Sequence, residues 1–345
     1  MKKNIFFAVA FAALAFVACN KEENGMVALN IAGEEYQNDE KQAFCNSQLY
    51  FTPGDAAYVN GTPTEMTISG ARSTHAKLWV PGNQAGYLVT YPASSINYTD
   101  GQYTTTFLGN VNLVSADPGT TTTLTEAARQ TWPMSGYAAE ASAPNFKLYN
   151  NVAVLSFAVK YGIQFASAMW KANGQGIDNT VDFVPTESNL PDIYITKIVV
   201  RSTNIRLTGS AHLVNADHAF SSSADFFGMG PQYVMDGAPI ANGDQVVATL
   251  DVPFKPTPSI TGSGAILAQT FGHLAMAPCM DFDNGKSLTI SYYFNATIDG
   301  TNHQYVYTKE MPITSNFYLA RGKSFTLLAN FLTPAADLNQ YIDVL

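Results

Sequence analysis

The chain of 345 residues is 46% hydrophobic and only 13% charged, about half the ~25% usual in soluble domains. It has ample material for a core, and charge-driven disorder and long charged coiled coils are excluded. Lys plus Arg number 18 against 27 Asp plus Glu, a net of −9; this is the wrong sign for coating a phosphate backbone, and no nucleic-acid partner is expected.

Residues 1–18 read as a signal peptide. Lys2 and Lys3 precede an uncharged apolar run from Ile5 to Ala18, 14 residues long. That is shorter than the ~20 residues of a membrane-spanning helix and suits a secretory leader. The leader ends in Phe16-Val17-Ala18-Cys19, which resembles the lipobox of bacterial lipoproteins, with Phe16 where leucine is usual. The resemblance implies that Cys19 is the lipid attachment point. Each buried methylene of an acyl chain contributes ~0.8 kcal/mol, so a multiply acylated cysteine holds firmly. Residues 19–25 then form a tether. Within it, Asn20-Lys21-Glu22-Glu23 resembles the surface-export signal of Bacteroides-type lipoproteins, which implies an outward-facing protein on the outer membrane. Loss of the leader leaves 16 cations against 27 anions, a net of −11.

The remainder reads as strands. Val27, Leu29 and Ile31 alternate with Ala28, Asn30 and Ala32, the period of a half-buried strand. Asp100-Gly101, between Ile96–Tyr98 and Tyr103–Thr105, has the chemistry of a tight hairpin, as does Asp299-Gly300. The run from Asn151 to Val159 is apolar on both faces, as in a strand covered on both sides, and Ile193–Val200 is similar. Leu288, Ile290, Tyr292 and Phe294 share one face of a further strand, and Phe325, Leu327, Ala329 and Phe331 share one of the last. Helical periodicity is confined to Leu124–Gln130 and Gln164–Lys171. The pattern predicts an all-β chain of two β-sandwiches, 26–143 and 144–345, divided at the proline-containing stretch 141–144. Residues 161–192 are expected to be a surface insertion.

Catalytic motifs are missing. His75, His212, His218, His273 and His303 show no zinc spacing, and neither H-E-x-x-H nor G-x-S-x-G occurs. Asp281-Phe282-Asp283-Asn284-Gly285 resembles a calcium loop only in part, since Gly285 stands where a ligand belongs; a turn explains it better. No enzyme activity, metal or cofactor is expected. Cys45 and Cys279 fall in different predicted sandwiches and are expected to be buried thiols rather than a disulfide. Trp79, Trp132 and Trp170 serve either as core and loop anchors or as a sugar-stacking platform.

Several segments, in order, resemble the fimbrillin-family lipoproteins of Bacteroides-type bacteria. Phe51-Thr52-Pro53-Gly54-Asp55-Ala56-Ala57-Tyr58-Val59-Asn60-Gly61 is similar to their aromatic, Gly-Asp and Val-Asn-Gly stretch. Tyr91-Pro92-Ala93-Ser94 is similar to their Tyr-Pro-Ala-Ser element. Pro133–Ala138 followed by Phe146–Leu155, then Ile195–Ile198 and Leu207–Gly209, resemble later segments. The resemblance implies two Greek-key, transthyretin-like sandwiches in a structural or adhesive subunit of a surface fimbria. It implies as partners other fimbrial subunits, the outer membrane and a host or bacterial surface ligand. Assembly in that family follows proteolytic removal of the first strand, whose place a strand of another subunit takes.

Carried onto this chain, the displaced strand bears Val27, Leu29 and Ile31. The candidate processing sites are Lys41 and Arg72. Arg72 is the first arginine and lies beyond the Gly-Asp element, a departure from the family; either a Lys-tolerant protease acts, or the chain is an unprocessed, accessory or tip-like member. The candidate donor is the C-terminal tail, with Leu338, Ile342 and Val344 following the break at Pro334; an intramolecular edge strand is the alternative. A surface glycan-binding lipoprotein remains the rival functional reading.

Overall fold

The computed structural model describes residues 25–33, 37–38, 51–115, 132–139, 146–162, 192–218, 230–257, 268–279, 285–298, 301–314, 317–331 and 342–343. The leader, Cys19, Lys41, Cys45, Trp170, both expected helices, the Asp281–Asn284 stretch, Leu338 and Val344 lie outside them. Among the described residues there is no α-helix; the fold is all-β, with one 3-10 turn at Ala93–Ser95.

The first sheet has seven strands. Next to one end of its order, β1 (Met26–Gly33) lies between β5 (His75–Pro81) and β12 (Phe146–Asn150). The order continues from β12 through β11 (Met134–Ala138), β6 (Tyr87–Tyr91) and β3 (Ala56–Val59) to β4 (Thr62–Glu65). The sheet rolls up until its ends meet. Just past β4, Thr67 and Lys77 exchange two backbone hydrogen bonds of 2.8 Å, and Phe51 and Ser73 exchange another pair. Leu29, Ile31, Phe51, Leu78, Val89, Tyr91, Met134 and Leu148 fill the enclosed core. Alternation places them there: β5 has the burial pattern exposed, buried, half-buried, buried, exposed, buried, exposed, as a strand with one face on a core requires.

A four-stranded sheet covers the outer side of β6. Its order is β16 (Gln232–Met235), β15 (Gly209–Val214), β8 (Gln102–Phe107) and β7 (Ile96–Thr99). Leu88, Ile96, Tyr103, Ala211, Leu213 and Tyr233 form the core between the layers. The turn from β7 to β8 is the Asp100-Gly101 pair, both at positive φ (52° and 82°), the geometry of the tight hairpin read from the sequence.

Two further sheets, built mostly from strands after residue 150, face each other. One is ordered β10 (Val114–Ser115), β18 (Gln269–Met276), β13 (Ala153–Tyr161), β21 (Lys323–Phe331) and β2 (Gln37–Asn38). The other runs β22 (Ile342–Asp343), β20 (Thr301–Pro312), β19 (Ser287–Ile298), β14 (Ile193–Ser202), β17 (Asp244–Phe254) and β9 (Asn110–Asn112). Leu155, Phe157, Ile198, Val200, Phe271, Ile290, Tyr292 and Leu327 pack between them.

β13 explains the two-sided apolar run. Ala153, Leu155, Phe157 and Val159 enter the C-terminal core, while Val154 enters the core of the first sheet. Farther along that second face, Ser156 lies 2.8 Å from His273 Nδ1 and 3.1 Å from Ser324 Oγ, and all three are buried. Burial in this position pushes the His273 imidazole down to about 4, so the ring is neutral.

The stretch 141–144 does not divide the sheets. β12 and β15 follow it yet pair with strands that precede it, and β2, β9 and β10 precede it yet pair with strands that follow it. Composition marks a place where a chain can turn; strand partnership depends on distant segments that local composition does not encode.

Candidate strand-exchange site

The candidate site is built around β1. It runs antiparallel to β5 over seven residue pairs, from Met26↔Pro81 to Ala32↔His75. On its other side it runs parallel to β12, with Ile31↔Phe146, Ala32↔Lys147 and Gly33↔Leu148. Leu29 and Ile31 are buried and Val27 packs half-buried against the same core. Their cross-strand partners on β5 are Val80, Leu78 and Ala76, all buried. Taking β1 away would leave unpaired edges on β5 and β12, with a slot between them floored by the core. Each side chain withdrawn from that slot forfeits about 1.5–3 kcal/mol of burial.

The candidate processing residues are not equivalent in topology. Arg72 is exposed, in the connection between β4 and β5 and next to Ser73, which bonds Phe51. A cut there would separate β5 from everything before it, including β3 and β4 and the core residues Phe51, Ala57, Val59 and Met66. Lys41 lies outside the described residues, between β2 and Phe51 in sequence; a cut there detaches only β1 and β2. Of the tail, Ile342 and Asp343 form β22, paired antiparallel with Val306 and Tyr305 at the edge of the six-stranded sheet. In this structure that part of the tail is an edge strand of its own chain.

Segments that carry the sequence resemblance are bonded to one another. Gly54 has φ +86°, and Asp55 next to it accepts the Thr52 N–H at 2.9 Å and the Tyr91 hydroxyl at 3.1 Å. The Gly-Asp and Tyr-Pro-Ala-Ser elements are thus one structural unit, with the Tyr91 ring edge-on to Phe51 at 5.4 Å. Ser135 donates to the Pro231 carbonyl at 2.7 Å, and the Asn151 side-chain amide lies 2.6 Å from Ser135 Oγ. All of this is buried, and it ties β11 to the starts of β13 and β16.

Of the tryptophans, Trp132 is buried in the first core and Trp79 is 37% exposed on β5. Tyrosines form a second aromatic cluster, in which Tyr98 is exposed, Tyr58 half-buried and Tyr103 buried. Tyr98 and Tyr103, cross-strand partners on β7 and β8, have ring centroids 4.5 Å apart, with Tyr58 about 6 Å from each. They stand beside a cleft of about 570 Å³. The sequence signal for this cluster was the Asn-Tyr-Thr-Asp-Gly-Gln-Tyr hairpin, which also places both tyrosines on one face. Cys279 is half-buried and free among the described residues. Among those residues no three His, Cys, Asp or Glu side chains converge to hold a metal ion.

No protein-family model and no curated protein matches the sequence. Solved structures align with nearly its whole length at low identity. A proposed cell adhesion protein from Bacteroides ovatus is 12% identical, the match covering 91% of this chain and 95% of that one with a TM-score of 0.40. A proposed cell adhesion protein from Bacteroides uniformis is 10% identical over 94% and 97%, with a TM-score of 0.41. A fimbrial assembly protein from Parabacteroides distasonis is 10% identical over 90% and 93%, with a TM-score of 0.32.

Proposed function

We propose that this chain is a fimbrillin-like subunit, lipid-anchored through Cys19 at the cell surface, that joins other subunits by β-strand exchange. The observation that carries the reading is the place of β1. It is the first strand among the described residues, it is interior to its sheet, and it contributes Leu29 and Ile31 to the core. A strand with those three properties can be severed at one point and replaced by an extended segment of another subunit. Backbone bonds to β5 and β12 would give affinity, and side chains in the places of Val27, Leu29 and Ile31 would give register. Lys41 is the processing site that suits this role, because a cut at Arg72 also removes β3 and β4. The donor is the C-terminal tail, whose β22 contact is short enough to release. Apart from the cleavage by a protease, no step in this assembly requires a catalytic group.

The test is limited digestion of the purified protein with a Lys-specific protease, followed by electron microscopy and unheated gel electrophoresis. Polymers that form after cleavage, and fail to form in Lys41→Ala, support the reading. A cleaved protein that loses β1 and stays monomeric overturns it. The rival reading, a surface glycan-binding lipoprotein, is favoured by one observation, the tyrosine-lined cleft.

A further inference from the structure

The cleft lies where three connections meet at one end of the layered N-terminal sheets: the β3–β4 turn, the β7–β8 turn and the end of β15. Its walls combine the tyrosine pair Tyr98 and Tyr103 with apolar Leu88 and Leu213 and with Asp100 and Gln102. Its volume falls in the range of ligand sites, roughly 300–1,000 Å³.

The cleft is held open by its own backbone. Asn60-Gly61 and Asp100-Gly101 are both tight turns at positive φ. The Gly61 N–H donates to the Tyr103 hydroxyl, and any Cβ on Gly61 would collide with the Tyr98 ring. The Asn60 side chain is consumed internally, donating to the Gly86 carbonyl at 2.8 Å and accepting the Leu88 N–H at 2.8 Å. Two polar groups are left over. Neither the Asp100 carboxylate nor the Gln102 amide has a hydrogen-bond partner among the described residues, and both are exposed at the rim. Tyr98 packs on Gly61 and Tyr103 and is still 38% exposed.

We propose that this cleft binds a neutral saccharide. A pyranose ring has an apolar C–H face and a belt of hydroxyls. The first suits the exposed face of an aromatic ring; the second suits a carboxylate and an amide with unused donors and acceptors. Among the described residues the only charge in the lining is negative and no lysine or arginine joins it, so phosphorylated, sulfated and uronic-acid ligands are disfavoured. None of the lining residues belongs to β1 or β22, so the site is independent of strand exchange.

The test uses purified full-length protein and saturation-transfer NMR backed by calorimetry, with cellohexaose, laminarihexaose, mannohexaose and maltohexaose as neutral probes and a hexagalacturonate as the acidic one. Binding of at least one neutral probe is expected, with no binding of the acidic probe. Tyr98→Ala should weaken it about tenfold or more, and Asp100→Gly and Gln102→Ala each about three- to tenfold, as loss of a stacking face or a hydrogen bond implies. Gln102→Ala removes an exposed side chain without a partner, and glycine at position 100 suits the positive φ of that turn, so both folds should be intact by thermal melting even if Tyr98→Ala is destabilised. Failure of all four neutral probes at millimolar concentration, binding of the acidic probe alone, or affinity unchanged in both rim variants overturns the proposal.

Discussion

The Tyr91 hydroxyl donates to the Asp55 carboxylate at 3.1 Å across 36 residues of chain, joining β6 to the turn that precedes β3. Tyr91 is 1% exposed, so water cannot easily replace that acceptor. Tyr91→Phe should cost about 1–2 kcal/mol, and Asp55→Ala more, because the Thr52 N–H also loses its partner. Urea denaturation followed by tyrosine fluorescence measures both. Equal losses in the two variants would mean that the Thr52 contact contributes nothing.

Leu29 faces Leu78 across β1 and β5, with both buried in the same core. Leu29→Ala should destabilise the protein by about 2–4 kcal/mol, whereas Asn30→Ala, half-buried on the opposite side of the strand, should stay within about 0.5 kcal/mol. Comparable effects at the two positions would show that the alternation of β1 does not govern its packing.

Asp244 should make stability fall on acidification. Burial alone would raise its carboxyl, but the Thr208 hydroxyl and the N–H groups of Leu207, Thr208 and Gln245, all at 2.7–2.9 Å, outweigh it and leave the group below the usual carboxylate range. A lowered folded value means that the stabilisation is complete above the unfolded Asp pKa of ~3.9 and is lost as pH falls through the folded value. Asp244→Asn should therefore be less stable than the parent at pH 7, with the gap narrowing below about pH 4. A gap that stays constant from pH 7 to pH 3 would assign the loss to geometry alone.

Truncation after Thr333 removes β22 and the rest of the tail. If the tail is a donor, the shortened protein folds, reaches the surface and no longer polymerises after processing. Normal polymers would eliminate the tail as donor, and failure to fold would assign it to the edge of its own six-stranded sheet.

Cys19→Ala should move the protein from the membrane pellet to the soluble fraction of fractionated cells. External protease applied to intact cells should digest the parent protein. Unchanged membrane association in the variant, or full protection of the parent, would remove the anchor or the surface location from the proposed function.

Local signals alone located several of the strands. Val27, Leu29 and Ile31 alternate because one face of β1 is in a core, and Asp100-Gly101 turns because those residues tolerate positive φ. The run 153–159 is apolar on both sides because β13 is covered on both sides. These are properties of a few consecutive residues, and a chain states them without reference to anything distant. Tertiary structure decided which strands are neighbours. Nothing near residue 26 says that β1 will have β5 on one edge and β12 on the other, or that β15 from the C-terminal half will pair with β8 from the N-terminal half. Backbone hydrogen bonds along a strand edge are the same for any partner, so partnership is set by the total burial of the finished fold. The tyrosine cleft follows the same rule: its hairpin was legible in the sequence, but Leu88 and Leu213 reach it only because the four-stranded sheet folds over β6.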